Sequence, residues 1–413
     1  MTLSWLRPKA LVLFLFVFAG YYKAADVLQA MPVDITLLFA GLTGLLLAWT
    51  FLQDPKVPPG TILMICVFAV LLLGMRWPIE FGSYAAQKSL RLFSLTALAA
   101  FAPLLLLRGD RDRLFFVVAV AALGVIMAAF AVAGMGSSGT GPRASAFNVN
   151  PILVGRASGF AALLFLVLYW FGRLTSWQMM LLVALALTGL LLSGSRGPLL
   201  ALACAAVLSA SALKLRSVEG RRAWLTIGLL AVVGTIVLAW LAAEGHRLGQ
   251  RMMRIAMGEL GDTELTRLAL WEGAWQQIPE HPFGIGWGRF TEVVQVYHDA
   301  LHANAKLALY PHNIVLEIAL EAGWVAGAIF ACLVAWLWVS LYKRLYRRLN
   351  LHEGVIFAGF VYWFSCSLVS GDVNDNRPFW AFLAVSVSIV MGSRSQSSAA
   401  QSERHAEPNE RFP

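Results

Sequence analysis

The sequence predicts an all-α polytopic membrane protein with about twelve transmembrane helices and one large polar loop before the tenth. Of its 413 residues, 59% are hydrophobic and 13% are charged, and the mean hydropathy is +0.70. Soluble domains carry roughly 25% charged residues. Many apolar runs approach the roughly 20 residues that span a bilayer. The predicted spans are 10–25, 33–52, 61–77, 90–107, 114–134, 152–171, 177–193, 197–213, 223–243, 313–341, 354–371 and 378–392.

The chain divides at its polar segments. Arg7 and Lys9 precede the first apolar run, and no clear small-residue cleavage site follows, which indicates a retained first helix. Helices 1–9 occupy residues 1–243, and helices 10–12 occupy residues 313–392. Residues 244–312 form the loop domain, with short helices. Residues 393–413, rich in Ser, Gln and Glu, predict a disordered tail.

Lysine and arginine in alternating short loops predict the orientation, because cytoplasmic loops are enriched in them. Both termini lie on the basic side, which the rule makes cytoplasmic. The net charge of +9 therefore mostly reflects the lysines and arginines that orient the helices in the membrane, and it does not indicate nucleic-acid binding. The four cysteines fall inside apolar runs, so neither a disulfide framework nor a thiolate metal site is predicted. The basic loop residues are Lys56, Arg108, Arg111, Arg113, Arg173, Lys214, Arg216, Arg221, Arg222, Lys343, Arg344, Arg347 and Arg348.

Arginines on the opposite, outer side are candidates for function, with interfacial snorkelling as the alternative. Arg196 lies in "SGSRGP", where a helix start with free N–H groups favours anions. An ordinary tight turn is the other interpretation. Arg156 lies one turn inside the sixth span and predicts either a substrate contact or a structural ion pair. Arg143 lies in a Gly/Ser-rich outer loop, and Arg377 lies in the last outer loop, "SGDVNDNRPFW". That loop either contacts sugar hydroxyls or is a plain connection.

The large loop holds six Lys/Arg against eight Asp/Glu, so anion binding there must come from individually placed side chains. Arg267 and Trp271 stand four apart on a predicted helix and share a face. The glycines of "HPFGIGWGRF" predict a tight turn that places Trp287 and Arg289. Arg247, Arg251 and Arg254 lie on a predicted interfacial helix. His298 and His302 have the spacing of zinc ligands on a helix, but we interpret them as solvated histidines.

The loop closes on "YPHN", so His312 lies where the chain re-enters the membrane. A titratable imidazole beside arginines suggests chemistry on an anionic substrate at the bilayer surface. Asn313, Glu317 and Glu321 follow at a spacing of four and share a helix face. Buried carboxylates need partners, and the outer arginines are the expected ones. These residues either position His312 or lock helices together.

The order of these features resembles the O-antigen ligase and polymerase superfamily. The features are the twelve spans, the "SRG" turn, the Arg267/Trp271 stretch leading to "PFGIGWGRF", and the "HN" that reopens the helix. The resemblance covers most of residues 90–390. Length and the single dominant loop are most similar to lipopolysaccharide O-antigen ligases of the WaaL type.

The resemblance implies a GT-C-like glycosyltransferase of the bacterial inner membrane with a periplasmic active site. The donor would be O-antigen on undecaprenyl pyrophosphate, the acceptor a sugar of lipid A–core, and no cofactor or metal would be needed. It places the essential histidine at His312 and the two motif arginines at Arg196 and Arg267. Position alone adds Arg156 and Arg289 as pyrophosphate contacts, and Asn313, Arg143, Arg377 and Glu317 as acceptor contacts or supports.

The same chemistry follows from the residue types. A departing pyrophosphate carries several negative charges that arginines can stabilise, and a neutral histidine can take a proton from an acceptor hydroxyl. Direct displacement would invert the anomeric centre. O-antigen polymerase and protein O-oligosaccharyltransferase use the same kind of donor and remain alternatives. A lipid-linked sugar transporter is a more distant one, since no internal repeat is visible and the polar groups gather at the outer edge.

Overall fold

A computed structural model describes residues 6–76, 80–134, 144–245, 261–294 and 309–406, together with Met253 and Met257. Side chains beyond residue 392 are not part of that description. Three predicted features lie outside the described residues, namely Arg143, the arginines Arg247, Arg251 and Arg254, and the pair His298 and His302. The described backbone consists of helices, turns and connecting segments, without a β-strand.

Six helices are long and apolar enough to cross a membrane, and five shorter apolar helices accompany them. The all-helical membrane architecture is therefore confirmed, while the number twelve stays a prediction. In chain order the helices are α1 Pro8–Val17, α2 Asp26–Gln29, α3 Ile35–Gln53, α4 Thr61–Leu71, α5 Tyr84–Arg91, α6 Ala97–Leu106, α7 Asp110–Val132, α8 Pro151–Trp170, α9 Ser176–Leu192, α10 Arg196–Ser211, α11 Val218–Ala243, α12 Asp262–Gln277, α13 Phe290–Val293, α14 Ile314–Glu321, α15 Trp324–Arg348, α16 Leu351–Ser367 and α17 Arg377–Ala406.

Three elements differ from the sequence prediction. The predicted span 313–341 is interrupted between α14 and α15, where Gly323 has a φ of 101°, a conformation that only glycine adopts without strain. The predicted span 90–107 begins earlier, because α5 runs through a π-helical turn, Leu92–Thr96, into α6. The helix α17 continues to Ala406, so most of the segment predicted as a disordered tail has a helical backbone.

Helix α8 lies at the centre of the bundle and packs against α7, α9, α10 and α16. Its glycines make this possible. A Cβ on Gly155 would lie 2.7 Å from the Ser193 hydroxyl, and one on Gly159 would overlap the Tyr362 hydroxyl. Small residues of this kind let transmembrane helices approach closely. The close packing holds α8 against α16 and against the turn between α9 and α10.

Helix α12 of the large loop packs against α14. A separate small core joins them, in which Leu270, Ala274, Phe290 and Leu320 are buried. Apolar burial of this kind contributes roughly 25 cal/mol per Å² of surface removed from water. The loop domain is thereby docked on the segment that carries His312.

Candidate active site

His312 lines a cavity of ≈ 590 Å³. The cavity is formed by the end of α1, the starts of α3 and α8, the α5–α6 junction and the connection between α16 and α17. In the predicted topology all of these are outer ends, so the lining is consistent with an outer cavity. Other polar lining residues are Tyr21, Lys23, Asp34, Thr36, Arg91, Thr96, Asn150, Tyr310, Ser370, Asn374, Asp375 and Arg377.

His312 is held from both sides along the backbone. The Trp271 Nε1 of α12 donates a 2.9 Å hydrogen bond to the Pro311 carbonyl. Asn313 caps α14, because its Oδ1 accepts from the backbone N–H groups of Val315 and Leu316 at 3.1 and 3.3 Å. Between these anchors His312 has a φ of 57°, in the left-handed region that is strained for most residues. Such strain persists where the surroundings fix it, and it is frequent at functional sites.

The imidazole of His312 is neutral at physiological pH. Burial, followed by the positive charges of Arg267 and Arg156, lowers its pKa to about 4. The Tyr310 ring meets it edge to face, with the ring centroids 4.5 Å apart. The buried Nδ1 has no hydrogen-bond partner among the described residues. A neutral imidazole is the protonation state that a general base requires.

Removal of the Arg267 charge is expected to raise the pKa of His312. The lowered pKa reflects a penalty on the imidazolium, so loss of a neighbouring cation moves it back towards the ordinary value, near 6.5. We expect an upward shift for Arg267→Gln and none for Arg267→Lys, which keeps the charge. Histidine proton titration by NMR in the absence of substrate, assigned with His312→Ala, measures this. Equal titration of both variants and the wild type would contradict the charge effect.

Arg267 lies on helix α12, and Arg196 contacts this helix. Arg267 shares a face with Trp271, which binds the His312 segment, and its charge reaches the imidazole. Arg196 begins α10, and its Nη1 lies 2.7 Å from Oε2 of Glu264, on the first turn of α12. Helix α12 therefore connects the "SRG" turn with His312. Neither arginine is among the residues that line the cavity.

Arg156 is buried, with 2% of its surface exposed. Its Nη1 donates to Asn376 Oδ1 at 3.2 Å, and its Nη2 donates to the carbonyls of Cys366 and Ser370 at 3.1 and 2.6 Å. These bonds fix the loop between α16 and α17, which lines the cavity. Its hydrogen-bond partners are a side-chain amide oxygen and two backbone carbonyls, so this arginine holds the loop in place of the predicted structural ion pair. Its predicted contact with substrate stays a prediction.

Arg289 lies in a different pocket. That pocket, of ≈ 220 Å³, is lined by Arg76, Glu80, Trp287, Arg289 and Glu292, among others. The Nε of Arg289 is 4.0 Å from a Glu292 carboxylate oxygen. The turn predicted from the glycines is present, since Gly284, Gly286 and Gly288 all have positive φ. It buries Trp287, whose Nε1 donates to the Leu71 carbonyl at 3.0 Å.

Arg377 lines the His312 cavity, together with Arg91 and Lys23. Its guanidinium lies over the Phe16 ring, 5.7 Å from the centroid. Sequence reasoning did not single out Arg91 or Lys23. The signal was available, because both lie within two residues of the outer end of a predicted span, and Arg377 directly precedes one. The adjoining π-helical turn, Leu92–Thr96, is of a kind often found at functional sites.

Glu317 and Glu321 are paired with Lys88, so the expectation that outer arginines would be their partners was wrong. The Lys88 Nζ is 2.6 Å from a carboxylate oxygen of each, and all three side chains are fully buried. The carboxylates also accept from the backbone N–H groups of Val373 and Gly288, at 3.2 and 2.9 Å. Sequence reasoning missed Lys88 because the predicted fourth span began two residues after it.

This arrangement, which we call the Lys88 cluster, joins four segments behind His312. They are α5, α14, the glycine turn and the loop after α16. The Tyr310 ring, which contacts His312, lies 5.9 Å from the Lys88 Nζ. Burial and the neighbouring Asp375 raise the pKa of Asp372, beside the cluster, to about 6. The cluster thus holds the His312 helix in place with charges that are shielded from water.

Helices long and apolar enough to cross a membrane, a polar cavity at one end of them, and a neutral histidine near several arginines are the features of a membrane protein with a candidate active site for an anionic substrate. Residues 181–331 match the family model described as O-antigen ligase. The match confirms the resemblance of this chain to the O-antigen ligase superfamily and supports O-antigen ligation or polymerisation by a glycosyltransferase-like enzyme. It covers the "SRG" turn, Arg267 and His312. No curated protein matches the chain.

Proposed function

We propose that the protein is a metal-independent, inverting glycosyltransferase that moves O-antigen polysaccharide from undecaprenyl pyrophosphate to a sugar of lipid A–core. The reaction takes place at the periplasmic face of the inner membrane. The observation that carries the proposal is the environment of His312, a neutral imidazole fixed at a polar cavity with cationic side chains around it.

The cavity has two kinds of lining that suit such a donor. Lys23, Arg91 and Arg377 supply positive charge, and Asn150, Asn374 and Ser370 can bind sugar hydroxyls. Apolar side chains lie at the same cavity and suit the isoprenoid next to the pyrophosphate, namely Val17, Leu37, Leu95, Ile152 and Leu153. A cavity of this kind accommodates an amphiphile with an anionic centre.

The reaction follows from these groups. His312 accepts the proton of the acceptor hydroxyl while that oxygen attacks the anomeric carbon of the donor. The bond between this carbon and the pyrophosphate oxygen breaks, and undecaprenyl pyrophosphate leaves with the electron pair. Attack opposite the leaving group inverts the anomeric centre. Arg267 and Arg196 stabilise the leaving group, which gains charge as the bond breaks. Bidentate guanidinium hydrogen bonds suit phosphate oxygens.

Loss of either Arg196 or Arg267, the two arginines that we propose to bind the pyrophosphate, is expected to weaken donor binding. We expect Arg196→Ala and Arg267→Ala each to raise the Kd for a lipid-linked donor by about tenfold to a hundredfold, since hydrogen bonds to charged groups contribute roughly 1.5–3 kcal/mol. Binding of a short-chain prenyl pyrophosphate to the purified protein measures this. Arg289→Ala is the matched control, because Arg289 lies in a separate pocket and, unlike Arg196 and Arg267, neither lies on helix α12 nor pairs with it. Equal losses in all three variants would indicate a general charge effect.

The acceptor is tested with the purified protein, lipid-linked O-antigen and lipid A–core. We expect transfer of the polysaccharide to lipid A–core without added metal, in the presence of a chelator. In cells, loss of a ligase leaves polymer on the lipid carrier, whereas loss of a polymerase leaves lipopolysaccharide with single repeats. Gel ladders of the second kind, with no transfer to lipid A–core in vitro, would identify a polymerase.

A further inference from the structure

A second large cavity lies at the ends of the helices opposite to His312. Its volume is ≈ 580 Å³. It is formed by the α3–α4 connection, the α6–α7 connection, the α15–α16 connection and residues 388–392 of α17. In the predicted topology these are the cytoplasmic ends. The proposed reaction makes no use of it.

The lining of this inner cavity is strongly basic. Lys56, Arg108, Arg113, Arg344 and Arg348 face two acidic lining residues, Asp110 and Glu353. Loop arginines and lysines on the cytoplasmic side are expected from orientation alone. Five of them converge on one concavity from the α3–α4 connection, the α6–α7 connection with the first turn of α7, and the last two turns of α15. This convergence is an additional property that orientation does not require.

Ion pairs and hydrogen bonds within the protein hold three of these arginines in place. Arg108 binds Asp54 at 2.6 Å and the Lys56 carbonyl at 2.9 Å. Arg113 binds the Leu107 carbonyl at 2.9 Å and the Ser388 hydroxyl at 3.1 Å. Arg344 pairs with Glu353.

The two remaining basic residues of the lining are less constrained. Lys56 is exposed and 4.0 Å from the nearest Asp54 oxygen, and Arg348 forms no ion pair within the described residues. Two buried nitrogens, Arg108 Nε and His352 Nδ1, also lack hydrogen-bond partners in that part of the chain. Donors and positive charge therefore remain for an anion.

Apolar side chains share the cavity with these cations. Val57, Pro58, Pro59, Leu104 and Ile389 contribute to the lining. A site with fixed cations beside apolar surface, at the edge of a membrane-spanning bundle, matches a phosphate headgroup with the first carbons of its acyl chains. We propose that the inner cavity binds the phosphate of an anionic phospholipid headgroup.

The test is the binding of dioctanoyl phosphatidylglycerol to the full-length protein in neutral detergent, followed by native mass spectrometry. The double variant Lys56→Gln with Arg348→Gln, called the cavity pair, removes two cations from the cavity lining. The matched control is Lys343→Gln with Arg347→Gln, which removes the same charge from exposed residues that do not line the cavity. We expect binding to be about tenfold weaker in the cavity pair and unchanged in the control.

Two further probes identify the ligand. Dioctanoyl phosphatidylcholine, which has no net charge, is expected to bind more weakly than phosphatidylglycerol. Inorganic phosphate that displaces the lipid at equal concentration would assign the site to free phosphate, and failure to displace it assigns the site to the lipid headgroup. Equal binding of the two lipids, or equal losses in both variant pairs, would overturn the proposal. If the cavity pair unfolds at a lower temperature than the wild type, the single variant Arg348→Gln, at an exposed helix end, is used in its place.

Discussion

His312→Ala is expected to lower the rate of polysaccharide transfer by about 10² to 10⁴, the range contributed by a positioned general acid or base. Without the imidazole, no neutral base remains at the position that is fixed by Trp271 and Asn313. The measurement is the single-turnover transfer rate with saturating lipid-linked donor. Donor binding is expected to change little, since the neutral imidazole contributes no charge to the pyrophosphate. Partial recovery of the rate with added imidazole is also expected.

The matched control for His312 is His281→Ala. This histidine lies in the same predicted outer loop but does not line the His312 cavity, so its loss is expected to leave the rate nearly unchanged. Two results would contradict the assignment of the base. One is full transfer activity of His312→Ala. The other is a loss that is matched by loss of the folded protein, seen as a lower unfolding temperature.

Lys88→Met is expected to destabilise the protein by about 3–5 kcal/mol, the cost of removing one partner of a buried ion pair. The substitution leaves the carboxylates of Glu317 and Glu321 buried without a countercharge. The free energy of unfolding in mixed micelles measures the effect. The pH dependence of the transfer rate should also change, because the cluster holds α14, the helix that begins two residues after His312.

Two variants separate charge burial from loss of a long side chain. Lys23→Met removes a half-exposed lysine that lies 3.6 Å from Asp34, and exposed pairs contribute only about 0–1 kcal/mol. Glu317→Gln with Glu321→Gln in the Lys88→Met background removes the unpaired charges but keeps oxygens for the N–H groups of Val373 and Gly288. We expect most of the lost stability to return. No recovery would mean that packing of Lys88, and not its charge, is what matters.

Apolar runs in the sequence located the helices, because runs of bilayer length have few alternatives to a helix. The prediction that the glycines of "HPFGIGWGRF" form a tight turn is confirmed by their positive φ values. The interruption of the tenth span was missed. Gly323 permits the break, but glycine within an apolar run is also compatible with a continuous helix, so the sequence carries no decisive signal.

The site was predictable in part. A histidine where a polar loop re-enters an apolar run was visible as a candidate, and so was the pair of Arg267 and Trp271. The roles of the other arginines were not visible. Arg156 binds carbonyls of a loop more than two hundred residues later in the chain, and Arg289 enters a separate pocket. One residue type fits all of these roles, so residue type alone does not distinguish them.

The sequence by itself determined the helical membrane architecture and the candidate histidine, because hydropathy and spacing along one chain encode both. Only the tertiary structure decided which charges meet. Lys88 finds two carboxylates that lie over two hundred residues away, and the pKa of His312 is set by burial and by arginines from two other helices. Burial and distance between remote segments arise when helices pack, and electrostatic energies depend on both.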